Sequence, residues 1–151
     1  MVITCSDTRT PETDTSGQLI QRLLQEQGHQ VAAYHVAKDE PRDIRALIES
    51  GVSNISVQAI IVNGGTGISR RDSTFEAIDG LLEKRLEGFG ELFRYLTFQD
   101  IGSPAMLTRA TAGIYRGRVL FSTPGSENAV RLAMERLILP ELGHLVRELT
   151  K

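Results

Sequence analysis

Two adjoining segments near the middle of the chain decide its fold: Val57–Val62 (VQAIIV) and Asn63–Thr74 (NGGTGISRRDST). The first is a short apolar run rich in Val and Ile, which is typical of a strand that is buried on both faces of a sheet. The second is a glycine-dense turn at the carboxyl end of that strand, where open α/β sheets form their ligand crevices. Together they predict a buried central strand followed by a loop that can hold a ligand.

The composition of this loop is typical of a phosphate site. Its glycines permit positive φ angles and let a ligand approach the bare backbone. Backbone N–H groups, the hydroxyls of Thr66 and Ser69, and the guanidinium groups of Arg70 and Arg71 would then be the donors to phosphate. Asp72 places one carboxylate beside them, where a metal–nucleotide needs it.

The same residues also fit a plain strand-to-helix turn. The loop lacks the third glycine of the dinucleotide fingerprint and the Gly-Lys-Ser/Thr end of the Walker A motif. Ser73 and Glu76 have the spacing of a capping box, whose only task would be to start the next helix. The loop taken alone leaves both interpretations open.

Composition limits the class of protein. A chain of 151 residues predicts one domain over residues 1–151, and its net charge of −2 argues against nucleic-acid or anionic-membrane partners. The single cysteine, Cys5, cannot form an internal disulfide, which favours a cytoplasmic location. No apolar run approaches ~20 residues, so no membrane-spanning helix is expected. Because the chain begins directly in a strand, we expect a short natural leader before it.

Strand and helix patterns alternate along most of the chain, which predicts βαβ crossovers and a mostly parallel sheet. The predicted strands are Met1–Cys5, 29–38, 57–62, Thr111–Tyr115 and Arg118–Ser122, the last two joined as an antiparallel hairpin by Arg116 and Gly117. The predicted helices include one ended by Gly28, one opened by Pro41, Thr74–Leu86, 91–99, 105–110 and a final one that Pro140 should kink or split. A break is expected at Gly88–Gly90. The fold class is therefore α/β, with a small hairpin beside the parallel strands.

Acidic residues follow two further strands. Asp14 ends a long polar loop after the first strand, and Asp39 follows the second. Each could simply cap the helix that comes next. Pro124–Ser126 adds another glycine turn between a strand and a helix. If the strands run parallel, all these residues lie at the same edge of the sheet as the glycine loop, which favours a ligand site there.

Motifs spread over nearly the whole chain resemble the molybdenum cofactor biosynthesis proteins of the MoaB and MogA type, and among these the MoaB type most. They begin with the glycine loop and Arg71–Asp72, followed by Glu87–Arg94 (EGFGELFR). Supporting segments are Ser6–Arg9 (SDTR), Asp14–Gly17 (DTSG), Thr108–Gly113 (TRATAG), Pro124–Ser126 (PGS) and Ile138–His144 (ILPELGH). The chain departs from the family at Asn63, where the family more often has Thr.

The resemblance implies a three-layer α/β/α domain that binds molybdopterin and MgATP. The implied reaction is adenylylation of molybdopterin's terminal phosphate with release of pyrophosphate. By analogy with the family's two catalytic aspartates, Asp39 and Asp72 would position Mg²⁺ and the reacting phosphates. The implied binding residues are Ser6, Asp7, Asp14, Gly64, Gly65, Thr66, Gly67, Arg71, Glu91, Pro124, Gly125 and Ser126.

Two other functions stay open: a pterin-binding or precursor-binding protein without turnover, and a nucleotide pyrophosphatase. The family also implies a homotrimer or homohexamer, with a contact expected around Gly88–Gly90 and its flanking helices, and other molybdenum cofactor biosynthesis proteins as partners. Cys5 and the scattered histidines form neither a catalytic triad nor metal-ligand spacing, so no covalent enzyme intermediate is expected.

Overall fold

A computed structural model describes residues 1–151. Six strands form one sheet in the order β2-β1-β3-β6-β5-β4. They are β1 (Val2–Cys5), β2 (Tyr34–Ala37), β3 (Ala59–Asn63), β4 (Lys84–Arg85), β5 (Thr111–Tyr115) and β6 (Arg118–Thr123). β2, β1, β3 and β6 are parallel, whereas β5 is antiparallel to both β6 and β4. The predicted mostly parallel sheet with a small antiparallel part is confirmed.

Helices pack against both faces of this sheet. They are α1 (Thr15–Glu26), α2 (Pro41–Ser53), α3 (Thr74–Asp79), α4 (Glu87–Ile101), α5 (Glu127–Ala133) and α6 (Leu139–Leu149). Val2 and Ile61 belong to a core with residues of α1, α4, α5 and α6, while their neighbours Ile3 and Ile60 belong to a core with residues of α2 and α3. Successive side chains of a strand point to opposite faces, so these strands must be apolar throughout. The result is the expected three-layer α/β/α arrangement.

Several turns are where the sequence predicts them. Gly28, with φ of 80°, follows the end of α1, and Pro41 is the first residue of α2. Arg116 and Gly117 both have positive φ, 45° and 74°, which is the conformation of a type I′ hairpin turn. Pro140 lies at the start of α6, and a π-helical turn at Met134–Ile138 joins it to α5. The chain thus accommodates Pro140 by splitting its last helix.

The predicted helix Thr74–Leu86 is wrong beyond Asp79. The chain turns there and forms β4, whose Lys84 and Arg85 pair with β5. A bidentate contact from the Arg85 guanidinium to the Asp79 carboxylate, at 3.1 and 2.8 Å, closes this turn. Residues 80–86 therefore have the apolar spacing of a helix, but pairing with β5 makes part of this segment a strand.

The predicted break at Gly88–Gly90 is also wrong, because both glycines lie inside α4. Phe89 packs edge-on against Phe121 of β6, with ring centroids 5.3 Å apart, and holds this turn of the helix on the sheet. A Cβ on Gly90 would lie 2.8 Å from the Ala110 carbonyl oxygen. Gly90 therefore permits close packing rather than ending a helix. Residues 105–110 are likewise not one helix, since the short 3-10 turn is Ser103–Leu107.

No helix of the chain is both long enough and apolar enough to cross a membrane.

Candidate functional site at the carboxyl edge of the sheet

The four parallel strands bring four loops to one edge of the sheet. These loops follow β1, β2, β3 and β6, and span residues 6–14, 38–40, 64–73 and 124–126. They contain every predicted site residue except Glu91, which is an exposed residue of α4. Four segments that are distant in sequence are therefore neighbours in the fold, as the parallel strands predict.

Within this edge, the position between β1 and β3 is a topological switch point. β1 leads into α1 on one face of the sheet, and β3 leads into α3 on the other face. Neighbouring loops that leave on opposite faces open a crevice between them, which is where open α/β sheets bind ligands. The loop after β1 and the glycine loop after β3 flank this crevice.

At Gly64 and Gly65 the glycine loop leaves no room for a side chain. Gly64 has φ of 96° and Gly65 has φ of 64°. A Cβ on Gly64 would lie 2.2 Å from the Cys5 carbonyl oxygen, and one on Gly65 would lie 2.3 Å from Asp39 Oδ2. Glycine is required here both for its positive φ and for the approach of neighbouring groups.

Asn63, where the chain departs from the family pattern, anchors the start of the same loop. Its side chain is fully buried and donates to Thr4 Oγ1 at 2.9 Å and to the Ile3 carbonyl at 3.3 Å. The amide therefore fastens β3 to β1 directly below the crevice. It faces the sheet, so its effect on a ligand is through the position of the loop.

Asp39 is buried and is held by the loop that it faces. Its Oδ1 accepts hydrogen bonds from the Ser73 backbone N–H at 3.2 Å, the Ser73 hydroxyl at 2.8 Å and the Thr74 hydroxyl at 3.0 Å. Its Oδ2 accepts none within the chain. The interpretation of Asp39 as a helix cap is wrong, since Glu40 is the N-cap residue of α2. The capping box is wrong too, because the Ser73 hydroxyl is bonded to Asp39.

Asp72 lies against the other end of the same glycine segment. Its Oδ2 accepts from the Ser69 backbone N–H at 3.0 Å and from the Ser69 hydroxyl at 2.5 Å, whereas its Oδ1 has no partner in the chain. A Cβ on Gly67 would lie 2.6 Å from Asp72 Oδ2. Asp39 therefore contacts Gly65 and Asp72 contacts Gly67, so the two carboxylates flank one three-residue stretch, each with one oxygen free.

Arg71 ties three of the four loops together. Its guanidinium donates to both carboxylate oxygens of Asp7, at 3.0 and 2.9 Å, and to Glu40 at 2.8 Å. The hydrogen bonds from Arg71 lower the pKa of Asp7 below its usual value. Asp7 Oδ1 also accepts the Asp39 backbone N–H at 3.3 Å. Arg71 is thus occupied by carboxylates, and Arg70 is the exposed cation beside it.

Asp14 connects the loop after β1 to α1 and β2. The prediction that it caps α1 is confirmed, since the buried carboxylate accepts the Gly17 N–H at 2.9 Å. It also accepts the Tyr34 hydroxyl at 2.5 Å and lies 3.5 Å from the Arg9 guanidinium. Burial and the hydrogen bond to Asp14 raise the pKa of Tyr34. Both oxygens of Asp14 are therefore engaged by the protein.

The loop after β6 contacts the loop after β1 and the start of α1. The Gly125 carbonyl accepts from Arg9 at 3.1 Å and from the Ser16 hydroxyl at 2.8 Å. Ser126 is the N-cap of α5, where its hydroxyl accepts the Ala129 N–H at 3.3 Å. A Cβ on Gly125 would lie 3.0 Å from Gly64 Cα, so the two glycine turns touch.

Several residues that build this edge have no site role predicted from the sequence, although Arg9, Ser16 and Arg109 lie in the family segments SDTR, DTSG and TRATAG. They share one property, which is that their partners come from another loop: Arg9, Ser16, Glu40, Ser73, Thr74 and Arg109. A pattern that is local in sequence cannot show such partners, and nothing in their spacing distinguishes them. Ser73 and Thr74 fit a helix start equally well.

Two hollows of the chain lie outside this edge. One hollow of about 330 Å³ lies at the opposite edge of the sheet near Met1 and Val146. Another of about 350 Å³ lies between Phe75 and Arg94. Neither Asp39 nor Asp72 lines either hollow. The chain also has no group of three or more His, Cys, Asp or Glu residues placed to hold a metal ion.

Comparison with known proteins identifies the family. Residues 1–144 match the family model described as a probable molybdopterin binding domain. A relative from Halalkalibacterium halodurans named Molybdenum cofactor biosynthesis protein B is 51% identical over 152 residues, which cover 100% of this chain and 89% of the relative. One of the same name from Bacillus subtilis is 52% identical over 151 residues, covering 99% and 89%.

Solved structures agree. A crystal structure of a molybdenum cofactor biosynthesis protein B has a TM-score of 0.96 at 52% identity, covering 99% of this chain and 93% of that one. A tungsten cofactor synthesizing protein MoaB from Pyrococcus furiosus has a TM-score of 0.87 at 37% identity, covering 99% and 95%. A MogA structure, at 24% identity and a TM-score of 0.85, shares the fold. The chain belongs to the molybdenum cofactor biosynthesis family with the MoaB and MogA fold.

Proposed function

We propose that this chain, as one domain over residues 1–151, transfers the adenylyl group of MgATP to the terminal phosphate of molybdopterin and releases pyrophosphate. The observation that supports it most is the convergence of Asp39 and Asp72 on the segment Gly65–Gly67, with one free oxygen on each carboxylate. These acids come from different loops, and a plain strand-to-helix turn does not need both of them.

The reaction requires two anionic groups to approach each other. An oxygen of the molybdopterin phosphate attacks the α-phosphorus of ATP, and the bond from that phosphorus to the pyrophosphate leaving group breaks. Donors must offset the charge of both reactants. The backbone N–H groups of Gly65, Thr66 and Gly67 donate to no group within the chain, so they are free for phosphate oxygens.

Mg²⁺ is the metal that we assign to the two free carboxylate oxygens. It prefers oxygen ligands, and proteins commonly bind it through one or two carboxylates together with substrate phosphates. Asp39 and Asp72 would supply those two carboxylates, and the substrate phosphates would supply the others. When bound, Mg²⁺ would supply positive charge against the phosphates.

We assign the remaining predicted residues to binding and support. Gly64 through Gly67 would hold phosphate, and Ser6, Asp7 and Arg71 would line the crevice beside β1. Pro124, Gly125 and Ser126 would close its other side, and Asp14 would hold the loops that form the crevice. Glu91 would contact the pterin from α4.

No residue of the chain is needed as a covalent nucleophile. Cys5 is buried, and burial raises the pKa of its thiol to about 12, so it is protonated near neutral pH. The chain's own residues would therefore bind, orient and neutralise, while the phosphate of the substrate attacks. We place this activity in the cytoplasm, where a single unpaired cysteine stays reduced.

We also propose that the chain forms a homotrimer or homohexamer through α4. This helix exposes an apolar stripe that is 53–59% accessible and consists of Leu92, Tyr95, Phe98 and Ile101. Met106 and Leu107 extend it. An exposed apolar patch of this kind is typical of a protein interface, and it lies on the helix that contains Gly88–Gly90, where the contact is expected. Tyr95→Glu should lower the mass of the particle measured by light scattering. A wild-type protein with the mass of a monomer would refute the assembly.

The test of the function is incubation with MgATP, with and without molybdopterin, while pyrophosphate and adenylylated product are followed. Adenylyl transfer requires that pyrophosphate and adenylylated molybdopterin appear only when molybdopterin is present. Binding of pterin without any pyrophosphate would instead indicate a precursor-binding protein. Cleavage of pyrophosphate bonds in the absence of pterin would indicate a nucleotide pyrophosphatase.

A further inference from the structure

Arg109, two residues before the start of β5, binds the glycine loop through its backbone carbonyls. Its Nε donates to the Thr66 carbonyl at 2.9 Å, and its Nη2 donates to the Gly67 carbonyl. Its Nη1 donates to Glu76 of α3, and the guanidinium lies 4.9 Å from the centre of the Phe75 ring. One planar group therefore joins the glycine loop to the first turn of α3.

These contacts fix the direction of three consecutive peptide groups. The Gly65 carbonyl accepts the N–H groups of Thr74 and Phe75, at 3.1 and 3.4 Å, so the carbonyls of residues 65, 66 and 67 all have protein partners. In a trans peptide the N–H points opposite to the C=O. The N–H groups of Thr66, Gly67 and Ile68 therefore point away from these partners, and none has an acceptor in the chain.

We propose that Arg109 is a positioning residue that sets the anion-binding face of the loop at residues 66–68. This rests on the proposed function, and it adds a residue outside the four loops of the edge. Three adjacent N–H groups on one side of a loop form a concave site of the kind that binds phosphate oxygens. Without Arg109, two of the three carbonyls lose their partner, and their peptide groups are free to rotate.

Lysine cannot replace this arginine. Its ammonium is a single point of charge, whereas the guanidinium offers several donors in a fixed plane and can stack on an aromatic ring. Glu76 holds the guanidinium in place, and the hydrogen bond from Arg109 lowers the pKa of that carboxyl. Arg109→Lys therefore keeps the charge near the loop and removes the geometry.

The experiment compares wild type with Arg109→Lys, using Arg116→Lys as the matched control. Arg116 pairs with Glu49 at 2.6 Å on the hairpin turn, away from the site. The first readout is MgATP affinity by calorimetry. The second is the rate of trypsin cleavage after Arg70 and Arg71, mapped by mass spectrometry, which needs no ligand and reports the order of the loop.

We expect Arg109→Lys to bind MgATP about tenfold more weakly or worse, the effect of losing a charged hydrogen bond, and to be cleaved faster at the loop. Arg116→Lys should match wild type in both. Wild-type affinity and wild-type cleavage in Arg109→Lys would overturn the inference. If wild type itself binds no MgATP, the proposed function fails, and the cleavage rates alone decide the role of Arg109. If Arg109→Lys does not fold, Glu76→Ala, which removes the acceptor of Nη1, replaces it under the same criteria.

Discussion

Gly65→Ala tests whether the glycine loop is packed against Asp39 as the structure shows. Gly65 has φ of 64°, and an added Cβ would lie 2.1 Å from Thr74 Oγ1 and 2.3 Å from Asp39 Oδ2. The left-handed conformation costs alanine roughly 1–2 kcal/mol. The overlap would also break the 3.0 Å hydrogen bond from Thr74 to Asp39, which contributes roughly 1.5–3 kcal/mol as a bond to a charged group.

Together these effects lower the free energy of unfolding by roughly 2.5–5 kcal/mol. For a chain of this size each kcal/mol shifts the melting temperature by about 2–4 °C, so we expect a decrease of roughly 5–20 °C. Thermal unfolding followed by circular dichroism measures it. MgATP affinity, measured by calorimetry on the still-folded variant, should fall as well, because Asp39 is displaced.

Gly28→Ala is the matched control. Gly28 also has a left-handed φ, 80°, but an added Cβ there would meet no atom within 4 Å. It should therefore show only the conformational cost, about 1–2 kcal/mol or roughly 2–8 °C, with unchanged MgATP affinity. A Gly65→Ala variant that is no less stable than Gly28→Ala would refute the packing of Asp39 against the loop.

Three further predictions concern titratable groups around the edge. Tyr34→Phe removes the hydroxyl that donates to the buried Asp14, so urea unfolding should show a loss of about 1–3 kcal/mol; a loss below about 0.5 kcal/mol would show that this bond is not stabilising. Burial raises the pKa of Cys5 from 9.0 to about 12, so its contribution to stability is complete below pH 9 and is lost as the pH rises toward 12. Cys5→Ala should therefore lose less stability than wild type between those pH values, and equal slopes in urea unfolding would contradict this. Arg71→Met should raise the lowered pKa of Asp7 toward its usual value, as followed by NMR titration, because its main hydrogen-bond donor is gone; the stability from this pair is present above about pH 4 and lost as the pH falls through the pKa of the folded state. An unchanged Asp7 pKa would show that another group holds it down.

The sequence predicts this fold well wherever one segment determines its own structure. The apolar run 57–62 is typical of a strand covered on both faces, and β3 differs from it by two residues at its start and one at its end. The prediction fails at Thr74–Leu86, where pairing with β5 prevails over helical spacing. It fails again at Gly88–Gly90, where Phe89 packing prevails over the low helix propensity of glycine.

For the site, the sequence predicts the edge but not the contacts across it. Parallel strands necessarily place the loops after β1, β2, β3 and β6 together, so the grouping of Asp39 with Asp72 follows from the topology. The topology does not predict the hydrogen-bond partners of each carboxylate. In a single sequence, an acid that caps a helix cannot be distinguished from an acid that faces a ligand. Asp14 is bound as a cap, whereas Asp39 is bound by Ser73 and Thr74.

The measurement that bears most directly on the proposed function is made on Asp72→Asn. Asparagine has nearly the same shape, and its amide oxygen can still accept from Ser69, so the fold and nucleotide binding should persist. Pyrophosphate release in the presence of molybdopterin should nevertheless be abolished, because the free carboxylate oxygen beside Gly67 is gone. Wild-type turnover in this variant would contradict the assignment of Asp72.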